Sequence, residues 1–303
     1  MSSAVRAPGK LSKKTKSDIA WGYFFILPQL IGVLVFVLFP LVYVLVLSTL
    51  EWDGLGERTF VGLSNYVTEF NNPDFRLSLK NTFYYTLLTV PTSVVLALVV
   101  ALALNKLRFK GFYRVIFFAP YVTSLVAAGV VWIWVYNPDF GLINTYLNLW
   151  FGIKGPQWLL DPNWVMPSIA IFSVWWGLGF NVVIFLAGLQ GIPAVFREAA
   201  QIDGANKWQT FRHVTLPLLS PTTFFVLIIS IIGSFQVFDQ AFIMTLDGGP
   251  GNSAYTMVYY LRELAFVDFV FGRSAAVAVI LFSLILAFTL LQFRMQRRWV
   301  HYG

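Results

Sequence analysis

Six stretches of this chain, each twenty residues or longer, carry no Lys, Arg, Asp or Glu: Ile19 to Leu50, Asn81 to Asn105, Val115 to Pro138, Pro162 to Phe196, His213 to Phe238, and Ser274 to Phe293. A helix rises about 1.5 Å per residue, so about 20 apolar residues cross the ~30 Å hydrocarbon layer of a bilayer. The pattern therefore predicts six transmembrane helices. A shorter uncharged, amphipathic stretch from Leu142 to Ile153 cannot span and is expected to lie along the membrane surface. Pro28 and Pro40 predict kinks in the first span, which neighbouring helices tolerate inside a membrane. That span follows a basic leader (Arg6, Lys10, Lys13, Lys14, Lys16), as a signal peptide would. Its apolar run is too long for one and no small-residue cleavage site follows, so it reads as an anchor and first span.

An even number of spans puts both termini on one side, and the basic residues say which. Fifteen Lys and Arg fall on the side of the termini, against six on the other (Arg58, Arg76, Lys80, Lys154, Arg262, Arg273). This bias places both termini in the cytoplasm. Ten of the fourteen acidic residues lie in the outer loops. Trp21, Trp52, Tyr136, Trp150, Trp158 and Trp164 fall near span ends, where amphipathic rings favour the interface.

Composition agrees with this reading. The chain is 58% hydrophobic and 12% charged, with a mean hydropathy of +0.71 over 303 residues. A soluble domain must clothe its surface in polar groups, so a soluble enzyme is excluded. Cysteine is absent, which excludes disulfides and thiolate metal sites. His213 and His301 are too few for an imidazole cage, and the net charge of +7 is explained by basic cytoplasmic loops rather than nucleic acid. The organisation is a basic cytoplasmic tail over 1–18 and a transmembrane domain over 19–303, with a distinctive cytoplasmic loop at 191–217.

That loop is no plain connector. Pro193 suits a helix start, and Val195, Ala199 and Ile202 form an apolar stripe at helical spacing. Gly204 after Asp203 is a helix stop, and a second short helix fits Ala205 to His213, with Trp208 and Phe211 one turn apart. Pro217 marks re-entry to the membrane. Such an element either lies against the protein's own inner face or docks into a partner's groove.

The run Glu198-Ala199-Ala200, Asp203-Gly204-Ala205, Phe211, Leu216-Pro217 and Pro221 resembles the signature loop of ABC importer permeases. More of the chain, from about Trp21 to Arg294, is similar to the carbohydrate branch of that family. The similarity rests on Leu27-Pro28, Phe39-Pro40, Ser48, Trp52-Asp53, Phe60-Val61-Gly62-Leu63 and Asn65-Tyr66, then Tyr136-Asn137-Pro138 with Gly141 and Asn144. It continues through Ser234-Phe235-Gln236-Val237-Phe238-Asp239 and Gly248-Gly249-Pro250-Gly251. The pattern looks like the first permease of a maltose-type pair without its extra N-terminal spans. The resemblance implies an all-α, six-span type I importer permease in a bacterial or archaeal cytoplasmic membrane. It implies as partners two ATP-binding subunits, a second permease and an extracytoplasmic solute-binding protein. It makes Glu198, Ala199, Ala200, Asp203, Gly204, Ala205, Trp208, Phe211 and Pro217 the coupling element that meets the ATPase. ATP and Mg would sit on that partner, with no cofactor on this chain. The sequence adds that no G-x-x-x-x-G-K-[ST] loop is present; the only Gly-Lys pair is Gly9-Lys10.

Candidates for the translocation path lie in spans 4 and 5. Trp176, Gly177, Phe180 and Asn181, beside Trp175, combine aromatic and amide groups, the mixture that suits a sugar-sized ligand. Ser230, Ser234, Gln236 and Asp239 follow in span 5, with Gln236 and Asp239 expected on one helix face. Asp239 is the only acidic residue near a span interior, where a charge costs about 2.5–3.5 kcal/mol. An ion-coupled transporter would want more titratable groups at mid-membrane, and a membrane enzyme would want a carboxylate pair or a nucleophile with its base. Within the importer class the cargo reads as a neutral saccharide, with a glycerophosphodiester or other polar solute as the alternative.

Overall fold

The computed structural model describes residues 13–107 and 110–300, and they are almost wholly helical. The first span combines α1 (Lys13–Val33), a π-helical stretch (Leu34–Leu38) and α2 (Phe39–Leu47). The π stretch ends two residues before Pro40, whose missing N–H cannot close a normal turn. So the expected kink is absorbed there, and Trp21–Leu47 forms one span. A small hairpin, β1 (Leu50–Glu51) with β2 (Thr59–Phe60), and α3 (Ser64–Asn71) lead to α4 (Pro73–Asn105). Then come α5 (Lys110–Val122), α6 (Leu125–Val135), α7 (Leu142–Phe151) and α8 (Pro162–Gly191). The cytoplasmic loop holds α9 (Ala194–Ile202), α10 (Lys207–Thr210), a π stretch (Phe211–Thr215) and α11 (Leu216–Leu218). The chain ends with α12 (Ser220–Phe235), α13 (Asp239–Met244), α14 (Met257–Phe266) and α15 (Phe271–Trp299).

The first, second, fourth and sixth expected spans are continuous helices. The third is broken: its halves, α5 and α6, meet at 92°. Thr123 Oγ1 donates to the Pro120 carbonyl, and Ser124 turns to an extended conformation and caps α6 at Ala127 N. The fifth bends by 63° at Leu219, between Pro217 and Pro221. Pro221 has no N–H for the Pro217 carbonyl, and the Ser220 hydroxyl takes that acceptor at 2.6 Å. The expected tail over 1–18 falls mostly outside the described residues, and Lys13–Asp18 already belong to α1.

The core is built on α4 packed along α8, with α5 laid on α8 and α12 on α4. Small residues allow this approach: Ala97 and Ala101 on α4 are fully buried. One buried cluster gathers Val94, Ala97 and Leu104 with Phe185, Leu186 and Leu219. Another, on the outer side, contains Tyr136 and Trp158, at 1% and 8% exposure. Those two rings are therefore core groups and not interfacial ones, which corrects the expectation from their positions. The Tyr136 hydroxyl donates to the Ser168 carbonyl and Trp158 Nε1 to Asn144 Oδ1, so each polar tip finds its partner inside. The amphipathic segment forms α7, which buries Asn144 and exposes Leu142, Tyr146, Leu149 and Trp150. Gly152 ends it in the left-handed region at φ 66°.

Candidate functional site

Where α4, α5, α8 and α12 converge they leave a cavity of about 250 Å³. Trp176, Gly177, Phe180, Asn181, Ser230 and Ser234 all line it. Trp176, Phe180 and Gly177 lie within one turn of α8, and Ser230 and Ser234 lie one turn apart on α12. Asn181 Nδ2 donates to Ser93 Oγ at 2.8 Å, tying α8 to α4 behind the cavity. Trp176 Nε1 is buried with no hydrogen-bond partner in the protein. Gly177 and Gly233 also form the wall, and a Cβ on either would meet nothing within 4 Å. Their missing side chains widen the cavity rather than permit close packing.

Gln236 and Asp239 do not join this lining. Helix α12 ends at Phe235, Gln236 is its cap, and Phe238 leaves helical geometry before α13 begins at Asp239. The two residues therefore do not share a helix face, and both are exposed. Gln240 takes the expected place of an amide at the cavity. Trp175 turns to the other side of α8, into an apolar groove beside Trp132.

Sequence reasoning missed the α4 and α5 walls: Tyr85, Thr89, Ser93 and Tyr121. Tyr121 stacks on Phe180 at 4.9 Å between centroids and lies 4.8 Å from the Trp176 ring, which makes a three-ring platform. Hydroxyl groups at i, i+4 and i+8 on α4 (Tyr85, Thr89, Ser93) were the available signal. Among the described residues, no Asp, Glu, Lys, Arg or His lines the cavity.

The cytoplasmic loop folds as two helices around Gly204, which sits at φ +82° with open space where a side chain would be. Asn206 and Gln209 form a capping box at the start of α10, with reciprocal bonds of 2.8 and 2.9 Å. Trp208 packs on Phe211 at 5.5 Å and remains 65% exposed. Helix α9 buries no residue, and Val195 and Ile202 on its apolar stripe are exposed at 61% and 86%. Glu198 and Asp203 are exposed, as are Ala199 and Gly204, while Ala200, Ala205, Phe211 and Pro217 are half-buried along the same element. The stripe is thus not spent on the protein's own inner face.

Residues 81–301 match the family described as binding-protein-dependent transport system inner membrane component. The chain belongs to that family. It is a permease subunit of an ABC importer and not itself an enzyme; in this family ATP is generally bound by separate ATPase subunits. The permease is 36% identical to the sn-glycerol-3-phosphate transport system permease protein UgpA of Agrobacterium fabrum, over 93% of this chain and 96% of that one. It is 35% identical to the arabinooligosaccharides transport system permease protein AraP of Bacillus subtilis, over 90% and 87%. It is 36% identical to the lactose transport system permease protein LacF of Rhizobium radiobacter, over 88% and 91%. A crystal structure of a bacterial alginate ABC transporter, in complex with its alginate pentasaccharide-bound periplasmic protein, contains a chain of the same fold. Its TM-score is 0.84 at 24% identity, covering 97% of this permease and all of that chain.

Proposed function

We propose that this permease passes a neutral saccharide or oligosaccharide inward, in a complex with a second permease, two ATP-binding subunits and an extracytoplasmic solute-binding protein. The complex sits in the cytoplasmic membrane of a bacterium or archaeon, with ATP and Mg on the ATPase subunits. The observation that carries the cargo reading is the cavity lining. Tyr121 packs against both Phe180 and Trp176 among hydroxyls and amides, and among the described residues no cation lines the cavity to meet a phosphate or carboxylate. Sugar rings offer apolar faces to aromatics and hydroxyls to such donors and acceptors. The relatives' names divide between a phosphate ester and neutral saccharides, and an uncharged lining supports the second group.

Residues 191–217 serve as the coupling element. The exposed stripe of α9 supports docking into a cleft of the ATPase, and the continuous run from α10 through α11 carries its movement to α12, which lines the cavity. ATP binding would draw the coupling elements of both permeases together and open the cavity outward; hydrolysis would reverse this. The test is uptake into proteoliposomes holding the purified complex and its binding protein. Neutral oligosaccharides should drive ATP-dependent accumulation, and glycerol 3-phosphate or uronates should not compete. Uptake restricted to anionic solutes would overturn the cargo reading.

A further inference from the structure

Beyond the translocation cavity the permease holds a larger space of about 1100 Å³ at the cytoplasmic ends of its helices. Its apolar lining, which we take as the floor, is Val99 and Leu102 on α4, Leu189 on α8 and Phe211 after α10; Asn105, Gln201, Asn206, Thr210 and Thr215 also line it. Its rim carries three cations from three different elements, Lys106, Arg197 and Lys207, with the Trp208 indole beside them. Among the described residues, no carboxylate lines it. The two ion pairs among the described residues, Arg262–Glu263 and Arg273–Glu69, involve none of these cations. One face of α4 leads into this space from within the bilayer. Leu88, Thr92 and Leu96 line an apolar groove of about 580 Å³ between α4, α6 and α8, and Val99 and Leu102 continue along the helix to the basic rim.

We infer that this space seats an anionic phospholipid of the cytoplasmic leaflet. The phosphate would lie among Lys106, Arg197 and Lys207, with the acyl chains descending along the α4 groove. The charge pattern selects this occupant. Basic pockets between spans on the cytoplasmic side attract acidic headgroups, and an indole beside them suits the headgroup level. A soluble anion would use the rim and leave the apolar floor wet. A peptide segment would gain nothing from three unpaired cations unless it were itself acidic. A lipid here would touch both α4 and the coupling element, so it would also stiffen their junction.

The test is native mass spectrometry of the complex purified through a tag on this chain, stripped of lipid and then titrated with phosphatidylglycerol or phosphatidylcholine of equal chain length. Phosphatidylglycerol should be retained preferentially. Lys106→Gln with Lys207→Gln should weaken that retention by about tenfold or more. Leu102→Trp, which fills the floor and keeps every cation, should also weaken it, so the proposal does not depend on one variant assembling. Equal retention of the two lipids would overturn it. So would phosphatidylglycerol binding that is unaffected by Leu102→Trp and is displaced by glycerol 3-phosphate alone, because that marks a free-anion site. A crosslink from Leu102→Cys to a co-purifying subunit, with no lipid retained, would show the groove to be a protein interface instead.

Discussion

Gly179 on α8 faces the carbonyl oxygen of Phe117 on α5 so closely that a Cβ built on the glycine would stand 2.0 Å from it. Glycine here allows two helices to touch backbone to backbone, which brings the Tyr121 ring against Phe180. Gly177, two residues earlier, has empty space at the same atom and borders the cavity. The two glycines therefore predict opposite phenotypes. Gly179→Leu should lower the amount of assembled complex and its melting temperature, since overpacking costs about 1–3 kcal/mol or more. Gly177→Leu should assemble normally and lose transport. Quantitative blotting and size-exclusion chromatography beside uptake assays separate the two; a well-assembled Gly179→Leu complex would contradict the packing account.

Tyr121 lies in the last turn of α5, and its ring contacts Phe180 and Trp176. Tyr121→Ala should raise the KM of uptake by about tenfold, because aromatic contacts are worth about 0.5–1.5 kcal/mol beyond area burial. Tyr121→Phe should stay within about twofold of the parent, a smaller change than the loss of one weak hydrogen bond would bring. Initial-rate uptake at graded solute concentrations measures both.

Gly204 joins α9 to α10 in the left-handed region, and nothing contacts the position where its side chain would be. Gly204→Val should therefore cost about 1–2 kcal/mol of local strain without a steric clash, which re-aims α9 relative to α10. ATP hydrolysis should persist while its stimulation by loaded binding protein and transport both fall. Gly204→Asn should retain more function, because asparagine enters this region at lower cost. Paired hydrolysis and uptake assays give the ratio that decides the point.

On the outer side, Tyr260 donates to Glu69 Oε2 at 2.8 Å, and Arg273 Nε donates to Glu69 Oε1. Glu69 is fully buried and receives both bonds, closing α3 against α14 and α15. Burial, then the hydrogen bond to Glu69, holds the Tyr260 phenol well above its ordinary value. Tyr255 is pushed up to about 12 by burial and the nearby Glu263 charge. A folded-state value raised above the unfolded one means stability that is complete below about pH 10 and lost as pH rises through the folded value. Thermal melts of the purified complex should hold steady to about pH 10 and then decline. Tyr260→Phe should lower the neutral-pH melting temperature by an amount matching about 1–3 kcal/mol and flatten the alkaline decline. A slope unchanged in the variant would place the alkaline sensitivity elsewhere.

Much of this was open to reading along the chain. Charge-free length alone located the four continuous membrane helices and the two bent helix pairs, because hydrocarbon tolerates nothing else over that distance. The cytoplasmic loop was legible for the opposite reason. In water a stripe such as Val195, Ala199 and Ile202 stands out against polar neighbours, and Gly204 marks its end. Within the membrane that contrast vanishes, since lipid-facing and protein-facing positions are both apolar. Nothing along α4 or α8 announced that Ser93 would meet Asn181, or that Trp175 and Trp176 would face different spaces. The breaks at Ser124 and Gln236 were equally hidden, because a proline or serine in a span bends the helix only where a local acceptor is freed and another group takes it. The sequence by itself determined the membrane class, the apolar segments, the charge asymmetry and the exposed helices of the 191–217 loop, all of which follow from the contrast between water and hydrocarbon. The tertiary structure alone decided which faces converge. It brought Tyr85, Thr89, Ser93 and Tyr121 to the cavity and left Gln236 and Asp239 outside, because helix packing at a residue such as Gly179 depends on the shape of two surfaces and not on the polarity of one.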